Sequence, residues 1–373
     1  MKLRVFFILP FLVIGSCGLL HFYSPAVNNS VTQPRWNMMI SIPGVTSPNE
    51  FSITADQDKR VFAAIAKSGS LVISLLSASG LSDNWTTNYA FSTASTANSL
   101  KVYYDKFWGV TLGYQESSSV QLKYFYTPTN AWNLFAPAFY STGQWNYFFG
   151  MTGKLYALAQ ANVPNFAVIY YNTPTVMAGT WNTNQKFDVN TGMTIMDLSA
   201  DIDSHDNVFV GAANFTECRI YFNGSNGNCI YNPVDNGVEY AKVAIPGDNT
   251  IYLIYKDISG PIKAQVLSYE YPGIQILKTI QIYDKAFYVY IYHDLGLSVV
   301  ADKNSSKVYI GFITLDQRKP VVLKIENGTV IPLPQFPESL TNCSNIKLSI
   351  NSAGLLMAGV LGPGNTLSIL RQW

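Results

Sequence analysis

Charged residues are scarce in this sequence, and the two signs balance. Only 13% of the 373 residues are charged, and 24 basic residues are offset by 23 acidic ones, for a formal net charge of +1. No block of like charge occurs. Proteins that bind nucleic acids normally carry a basic stripe, so nucleic acid is not expected as a partner. The hydrophobic content of 48% also argues against a disordered chain, because that much apolar surface has to be buried.

Histidine and cysteine are rare as well, with three and four residues. The sequence contains no His-Glu-X-X-His motif, no Gly-X-Ser-X-Gly elbow, no phosphate-binding loop and no Cys-X-X-Cys pair. These absences argue against the common metalloprotease, serine hydrolase, nucleotide-binding and redox classes. We therefore predict no catalytic residue, no metal and no cofactor from sequence motifs.

The first 17 residues have the features of an export signal. A basic start precedes an apolar run, residues 5–14, that is too short to span a bilayer comfortably. The run ends in Ile14-Gly15-Ser16-Cys17, which resembles the bacterial lipobox. That resemblance implies a lipid on Cys17 and a place at the bacterial outer membrane or cell surface, with membrane contact only through the lipid. Simple secretion after cleavage nearby is the alternative, and residues 18–35 are predicted to be a tether.

Two of the cysteines, Cys218 and Cys229, flank a turn rich in Gly and Asn over residues 223–228. Two strands joined by that turn would bring the two Cβ atoms close together. The sequence therefore predicts a hairpin disulfide between them, as an exported protein allows. Cys343 is left without a predicted role.

A repeat is the strongest pattern in the chain. An alternating strand, a short polar turn and a strongly apolar second strand recur seven times, and the second strands are predicted to begin at residues 61, 107, 155, 208, 251, 308 and 355. These starts lie 43 to 57 residues apart, which is the length of the four short strands of one β-propeller blade. The period of two residues excludes helical repeats. The pattern predicts an all-β, seven-bladed β-propeller over residues 36–373, with a pair of smaller β-sandwiches as the alternative.

The seventh repeat lacks a fourth strand. Its third strand is predicted at Thr366 to Leu370, close to the last residue, Trp373. Residues 36–42 alternate in the same way and begin with Trp, as the predicted fourth strands of three other repeats do. An open ring would expose strand edges. We therefore expect the N-terminal strand to close the last blade as its outermost strand.

The segment from Ser77 to Trp85 resembles a degraded Asp-box, the hairpin motif of sialidase-like propellers. Residues 36–373 also resemble these propellers in repeat length and in the Trp that opens the outer strand. The resemblance implies the propeller fold, since an Asp-box is a structural turn. Sialidase activity is not expected, because three arginines must clamp the substrate carboxylate. None of the available arginines has the Arg-Ile-Pro context of that family, and these are Arg60, Arg219, Arg318 and Arg371.

Three aspartates, Asp201, Asp203 and Asp206, lie close together in one predicted turn. Closely spaced carboxylates could bind Ca²⁺, but the run lacks the Gly and the distal Glu of an EF-hand loop. It also resembles the Asp-X-X-Gly-Asn turns of many propellers. We favour a hydrogen-bonded β-turn, in which Asp and Asn bond to their own backbone.

Ligands of propellers usually bind where the chain enters the first strands and where the second strands join the third. That mapping places five candidate ligand-binding residues on one face, namely Trp145, Tyr147, Tyr114, Glu116 and Arg318. Exposed aromatic side chains among charged ones could stack on a sugar or a peptide, and Trp145 and Tyr147 are the leading candidates.

The sequence thus predicts an exported, lipid-anchored propeller that acts as a non-enzymatic binding, adhesion or scaffold module. Its ligand would be an unknown protein or glycan. The alternative is a hydrolase or lyase of glycans, which would need two carboxylates about 5 to 9.5 Å apart at the mouth of the propeller channel.

Overall fold

The computed structural model describes most of the chain after residue 34, and the described residues lie in one compact unit, Pro34–Trp373. They form β-strands and one short 3₁₀ helix, Pro363–Asn365. None of their helices is long and apolar enough to cross a membrane. The described ranges are 35–45, 51–66, 72–78, 86–92, 97–126, 131–151, 153–162, 165–171, 181–214, 217–222, 229–231, 238–257, 260–270, 273–285, 287–288 and 296–372.

Seven antiparallel sheets follow one another along the described chain, and they are numbered 1 to 7 in that order. Strand β1 (Trp36–Ile42) comes first and belongs to sheet 7. The strands of sheets 1 and 2 are β2 (Phe51–Ala55), β3 (Val61–Ala66), β4 (Val72–Ala78), β5 (Thr86–Ser92), β6 (Ala97–Asp105), β7 (Gly109–Glu116), β8 (Ser119–Tyr126) and β9 (Ala131–Tyr140). The strands of sheets 3 and 4 are β10 (Trp145–Phe149), β11 (Leu155–Asn162), β12 (Asn165–Tyr171), β13 (Trp181–Asn190), β14 (Asp197–Ile202), β15 (Val208–Ala213), β16 (Cys218–Phe222) and β17 (Cys229–Tyr231).

Sheet 6 differs from the others because its first strand is in two pieces, β22 and β23, which both pair with β24. The strands of sheets 5 and 6 are β18 (Val238–Ala244), β19 (Ile251–Asp257), β20 (Ile262–Glu270), β21 (Gly273–Tyr283), β22 (Phe287–Tyr288), β23 (Leu297–Ala301), β24 (Val308–Thr314), β25 (Pro320–Glu326) and β26 (Thr329–Pro332). The last three strands, in sheet 7, are β27 (Asn345–Ile350), β28 (Leu356–Gly362) and β29 (Thr366–Gln372).

The N-terminal strand completes the last sheet. Strand β1 pairs antiparallel with β29, with Trp36 opposite Gln372 and Ile42 opposite Leu367. The order in sheet 7 is therefore β27-β28-β29-β1. The predicted pairing of residues 36–42 with the third strand of the last repeat is confirmed.

The second strands of the sheets explain the apolar runs of the sequence. Every residue of β3, β15 and β28 is buried. Both faces of such a strand pack against neighbouring sheets, so both sets of alternating side chains have to be apolar. Five second strands begin at the predicted residues, while β7 begins two residues later and β28 one residue later.

The hydrophobic core lies between the sheets. Seven clusters of buried residues each combine side chains from two consecutive sheets, and one of them joins sheet 7 to sheet 1. In that last cluster, Met39 of β1 and Leu367 of β29 pack with Phe51 of β2. The core is thus a series of layers between neighbouring sheets.

Hydrogen bonds follow the same cycle of neighbours. Each sheet is joined to the next by at least one bond of 2.7 to 3.1 Å between elements of the two sheets. From sheets 1 and 2 round to sheets 7 and 1, the bonds run from Val102 N to Ser52 Oγ, Trp108 Nε1 to Gly153 O, Leu198 N to Gln144 Oε1, Val243 N to Ser199 Oγ, Gly247 N to Asp302 O, Leu348 N to Ser298 Oγ, and Lys347 Nζ to Phe51 O. Sheets that form such a closed cycle are the architecture of a β-propeller.

One type of turn joins the first strand to the second in five of the sheets. The fourth of its five residues has a left-handed backbone and donates its N–H to the carbonyl of the first, at 3.0 to 3.3 Å. These fourth residues are Lys59, Gly153, Asp206, Asn249 and Gly354, with φ between 60° and 77°. We call the end of the propeller that carries these turns the turn face. The opposite end, where the chain enters each first strand, is the loop face.

Candidate functional site

A polar residue stands at the same place in the first strand of every sheet, four residues before the turn. The residues before and after it belong to or pack against the clusters between sheets. Since side chains alternate along a strand, the polar residue lies on the opposite side of its strand from these neighbours. The first strands of consecutive sheets adjoin one another, so these residues lie near the centre of the ring. We call this set the axial ring, and its members are Ser52, Lys101, Asn146, Ser199, Lys242, Ser298 and Lys347.

The three axial serines join neighbouring first strands. Ser52, Ser199 and Ser298 each accept, at 2.9 Å, a backbone N–H from the first strand of the next sheet. The sheet that follows each serine carries a lysine of the axial ring. The polar lining of the ring centre is therefore used in part to hold the sheets together.

Strand β14 carries two carboxylates on the same side as Ser199, namely Asp197 and Asp201. Asp197 is buried, and its Oδ1 accepts a hydrogen bond from Lys242 Nζ at 2.7 Å while its Oδ2 accepts one from Ala241 N at 3.0 Å. Both partners lie in β18 of sheet 5. Asp197 is thus half of a buried ion pair between sheets 4 and 5.

The second carboxylate, Asp201, bonds to two further sheets. Its Oδ1 accepts from Lys303 Nζ and its Oδ2 from Ile245 N, both at 2.7 Å. Lys303 Nζ also donates to the carbonyls of Ile202 and Ile245, at 2.8 and 2.7 Å. This lysine of sheet 6 therefore connects sheets 4, 5 and 6 at the turn face.

The spacing of these two aspartates bears on catalysis. Four residues along a strand separate Asp197 from Asp201 by about 13 Å. A glycosidase needs its two carboxylates within about 9.5 Å of each other. These two carboxylates therefore do not form such a pair, and each already bonds to a lysine.

The predicted aspartate turn is a hydrogen-bonded turn. Asp203 Oδ1 accepts the N–H groups of His205 and Asn207 at 2.8 Å, and Asp206 Oδ1 accepts the N–H of Met151 in sheet 3 at 2.9 Å. Among the described residues, no group of three or more His, Cys, Asp or Glu is arranged to hold a metal ion. The favoured interpretation of this segment as a turn fits these bonds.

The two leading ligand-binding candidates are core residues, which corrects their prediction as exposed aromatics. Trp145 is 3% exposed and Tyr147 is fully buried. Tyr147 Oη lies 3.2 Å from Thr111 Oγ1 and donates to Lys101 O, also at 3.2 Å, and its ring packs edge-on against Tyr103. Both side chains fill the cluster between sheets 2 and 3.

The other candidates divide between core and surface. Tyr114 is also buried, and burial together with the charge of Glu116 raises the pKa of Tyr114 to about 12. Glu116 is half-buried and Arg318 is exposed, and both lie at the loop face. They stand in sheets 2 and 6, which are not neighbours, so the five predicted residues do not form one site.

Gly113 explains how the aromatic core of sheets 2 and 3 packs. A Cβ on this residue would lie 2.6 Å from Tyr147 Cε1 and 3.0 Å from Trp145 Cη2. We expect Gly113→Ala to cost about 1–3 kcal/mol of folding stability, as overpacking of a tight core does. Gly273→Ala is the matched control, since nothing lies within 4 Å of its Cβ position. Thermal melts of the two variants would check this. Equal melting temperatures would contradict the close packing of Gly113 against Tyr147 and Trp145.

The loop face carries exposed apolar residues that the sequence alone did not single out. Tyr140 at the end of β9 is 60% exposed, and Leu315 after β24 is 54% exposed. Near Leu315, the backbone N–H of Gln317 and the hydroxyl of Thr314 lower the pKa of the exposed Asp316. Alternation along β9 could have pointed to Tyr140, because Phe139 beside it is buried.

The hairpin register does not support the predicted disulfide. Cys229 lies opposite Tyr221, whereas Cys218 lies opposite Ala213 on the other side of its strand. Three residues along the strand place Cys218 about 10 Å from the position opposite Cys229. A disulfide requires Cα atoms within about 7 Å of each other. Cys218 is a buried thiol of the core between sheets 4 and 5, and the prediction of a Cys218–Cys229 disulfide is wrong.

Cys343 is buried between sheets 6 and 7, and burial raises the pKa of its thiol to about 12. The thiol is therefore protonated in both the folded and the unfolded state below about pH 8. Above about pH 9 the unfolded chain ionises first, so this group lowers the free energy of unfolding between about pH 9 and 12.

We expect iodoacetamide at pH 8 to modify Cys343 only after denaturation, as peptide mass mapping would show. Rapid modification of the folded chain would contradict this burial.

A groove of about 390 Å³ opens between sheets 6 and 7, beside the turn face. Its walls are mainly apolar and include Ile331, Leu333 and Leu356. Burial, followed by nearby carboxylates, raises the pKa of Tyr309 in the wall to about 12, so this phenol stays neutral at ordinary pH. Lys324, also in the wall, donates a hydrogen bond to Glu326. The described residues that line the groove include no carboxylate.

Several predicted features lie outside the described residues. They are the lipidation residue Cys17 with the export signal, the tether up to residue 34, and the Asp-box-like segment after Ala78.

Comparisons with known proteins identify the fold and no family. No protein-family model and no curated protein matches the chain. Among solved structures, the WD40 domain of Toxoplasma gondii coronin has a TM-score of 0.57 at 10% identity, covering 91% of this chain and 84% of the other. A chain of the Mitotic Checkpoint Complex has a TM-score of 0.58 at 9% identity, covering 95% and 99%.

A third similar structure is the β-propeller domain of Cps50 (Swd1) from Myceliophteria thermophila. It has a TM-score of 0.56 at 8% identity, covering 90% of this chain and 99% of the other. At such low identity these likenesses show a WD40-like β-propeller fold and nothing more about activity.

Proposed function

We propose that this chain is a non-enzymatic binding module, a seven-bladed propeller that is exported and held at the bacterial surface by a lipid on Cys17. The observation that carries the non-enzymatic part is the use made of Asp197 and Asp201. Both carboxylates bond to lysines and backbone groups of other sheets. They serve as structural links in the centre of the ring, where an enzyme of the alternative class would place its acid and base.

The proposal that the seven sheets are the blades of one ring is supported by two independent cycles of contact. Hydrophobic clusters join every consecutive pair of sheets, and hydrogen bonds do the same. A ring fastened in this way is rigid. Rigid scaffolds with binding residues in their loops are suited to holding a partner without losing much conformational entropy.

The ligand surface in this proposal is the loop face, and the ligand is a protein. WD40-like propellers of known structure include a chain of the Mitotic Checkpoint Complex, which is a protein assembly. On the loop face of this chain, Tyr140 is exposed near Glu116 in sheet 2, and Leu315 is exposed near Asp316 and Arg318 in sheet 6, so the proposed surface extends across the ring. Exposed aromatic and aliphatic side chains with a charged surround are the usual composition of a protein interface.

The test is a binding screen with matched variants of the full chain. Wild-type protein and the Tyr140→Ser/Leu315→Ser variant are applied to an array of extracellular-matrix proteins and glycans. Leu277→Ser is the control, because Leu277 is 61% exposed on β21, away from the loop face. We expect a protein ligand that the control binds like the wild type and that the loop-face variant binds at least about tenfold more weakly.

Two results would contradict the proposal. Turnover of any glycan on the array would make the chain an enzyme, in which case the hydrolase or lyase alternative holds. Equal binding by the two variants would place the ligand elsewhere on the propeller. The anchor is tested separately by replacing Cys17 with Ser and following partition into detergent. We expect the variant to leave the detergent phase, and its retention there would contradict a lipid on Cys17.

A further inference from the structure

Two neighbouring turns of the turn face carry large apolar side chains at their tips. Phe107 in sheet 2 is 51% exposed and Met151 in sheet 3 is 50% exposed. The corresponding described tip residues of the other five sheets are polar or small, and they are Gln57 and Asp58, Ser204 and His205, Gly247 and Asp248, Lys303 and Asn304, and Ser352 and Ala353. Among the described tips of these turns, Phe107 and Met151 therefore form a local apolar patch.

Hydrogen bonds hold both tips in their exposed positions. The N–H of Phe107 donates to Asp105 Oδ1 at 2.8 Å, and the N–H of Met151 donates to Asp206 Oδ1 at 2.9 Å. Between them, Trp108 Nε1 donates to Gly153 O at 2.9 Å. The ring of Phe107 lies against Gly153, where a Cβ would meet it at 2.5 Å. The exposure is thus fixed by the fold of both turns.

Basic side chains accompany this patch. Lys106 is exposed, with its Nζ 4.9 Å from the centre of the Phe107 ring. Lys154, in the turn of Met151, is half-buried, with its Nζ 5.4 Å from the centre of the Tyr156 ring. The carboxylate of Asp105, in the first of these turns, is occupied by backbone N–H groups. Apolar side chains flanked by lysines are typical of surfaces that lie in the headgroup region of a membrane, because the lysine charges stay with the phosphates.

The chain also enters the propeller at this same face. Strand β29 runs toward the turn face, and Trp36 of β1 lies opposite Gln372 at its end. The chain therefore enters β1 from the turn face.

We infer that the turn face rests on the membrane that holds the anchor, with Phe107 and Met151 inserted in its interface and Lys106 and Lys154 near its phosphates. This inference rests on the proposed lipid anchor, which confines the propeller within reach of the lipid and favours even a weak second contact. The loop face is then turned away from the membrane toward its ligand.

The test uses the full chain and vesicles of phosphatidylcholine with about one quarter anionic phosphatidylglycerol. Tryptophan at the tip serves as the probe in Phe107→Trp, and Leu315→Trp places it on the opposite face. We expect brominated acyl chains to quench the added emission of Phe107→Trp and to leave that of Leu315→Trp unchanged. The Phe107→Ser/Met151→Ser variant should partition into vesicles at least about tenfold more weakly than Leu315→Ser.

The outcomes separate the contact from the anchor. Absence of quenching in Phe107→Trp on vesicle-bound protein overturns the membrane contact. So does a double variant that partitions normally but loses a protein ligand, since the patch would then be a protein interface. If Cys17→Ser binds vesicles like the wild type while the quenching persists, the anchor fails and the contact stands.

Discussion

Removal of residues 36–42 is expected to unfold the whole propeller. Strand β1 buries Trp36, Met39 and Ile42 to 4–7% exposure against sheets 6, 7 and 1. Burying three large apolar side chains contributes about 6–9 kcal/mol at about 2–3 kcal/mol each. That is comparable to the entire stability of a typical domain, about 5–15 kcal/mol. The deletion also leaves β29 as an open strand edge that invites aggregation.

Circular dichroism and gel filtration of the deletion would measure this loss. The matched control is removal of residues 18–35, which leaves β1 and all of its contacts in place. We expect the control to melt like the wild type and the 36–42 deletion to be aggregated or without a cooperative transition. A deletion that melts within about 2 °C of the wild type would show that β1 is dispensable.

Replacement of Asp197 by Ala is expected to have the largest effect of any single substitution in the ring centre. The side chains of Asp197 and Lys242 are 1% and 10% exposed, and their ion pair links sheets 4 and 5 at 2.7 Å. Loss of one partner leaves a buried cation without its counter-charge and costs about 3–5 kcal/mol. It also removes the acceptor of the Ala241 N–H. Urea denaturation would give the change in the free energy of unfolding.

A double variant separates the ion pair from the packing around it. In Asp197→Asn/Lys242→Met the amide oxygen can still accept the Ala241 N–H, and no charge is buried. Exchange of a buried ion pair for neutral groups is often close to neutral for stability. We therefore expect the double variant to recover most of the stability that Asp197→Ala loses. If both variants are equally unstable, the pair does not act through its charge.

The periodicity of the sequence predicted the sheets because it reflects burial directly. Second strands are buried on both faces, so they appear as continuous apolar runs. In four of the five turns of the shared type, the left-handed position holds Gly, Asn or Asp, and Lys59 is the exception. The role of β1 followed from counting strands. Such features depend on local backbone geometry and on the alternation of side chains along a strand, and both can be inferred from the sequence.

The exposure of Trp145 and Tyr147 was mispredicted because it was inferred from residue type alone. Their positions in the first strand, counted back from the turn, would have indicated burial. Trp145 and Tyr147 stand five and three residues before their turn, as Phe51 and Ile53 do in sheet 1, and all four are buried. Alignment of the first strands on their turns would have placed both aromatics in the core. It would also have shown the axial ring as one polar residue in every repeat.

Other features depend on contacts that no local pattern contains. The bond from Lys303 to Asp201 joins residues 102 positions apart, and it requires knowledge of how three sheets meet. The prediction of a Cys218–Cys229 disulfide failed for a different reason. A Gly- and Asn-rich turn predicts a hairpin but not its register, and the pairing of β16 with β17 shifts between Ile220 and Tyr221.

The central claim, that the chain's first strand closes the ring against its last, is tested most directly by a disulfide between them. Ser41 and Ser368 lie opposite each other in β1 and β29, with their hydroxyl oxygens 3.4 Å apart. The Ser41→Cys/Ser368→Cys variant should form a disulfide within one molecule, seen as a joined peptide in mass mapping, and should gain about 2–4 kcal/mol over its reduced form. Thiols that stay reduced, or that link two molecules, would show that the ring is not closed by this strand.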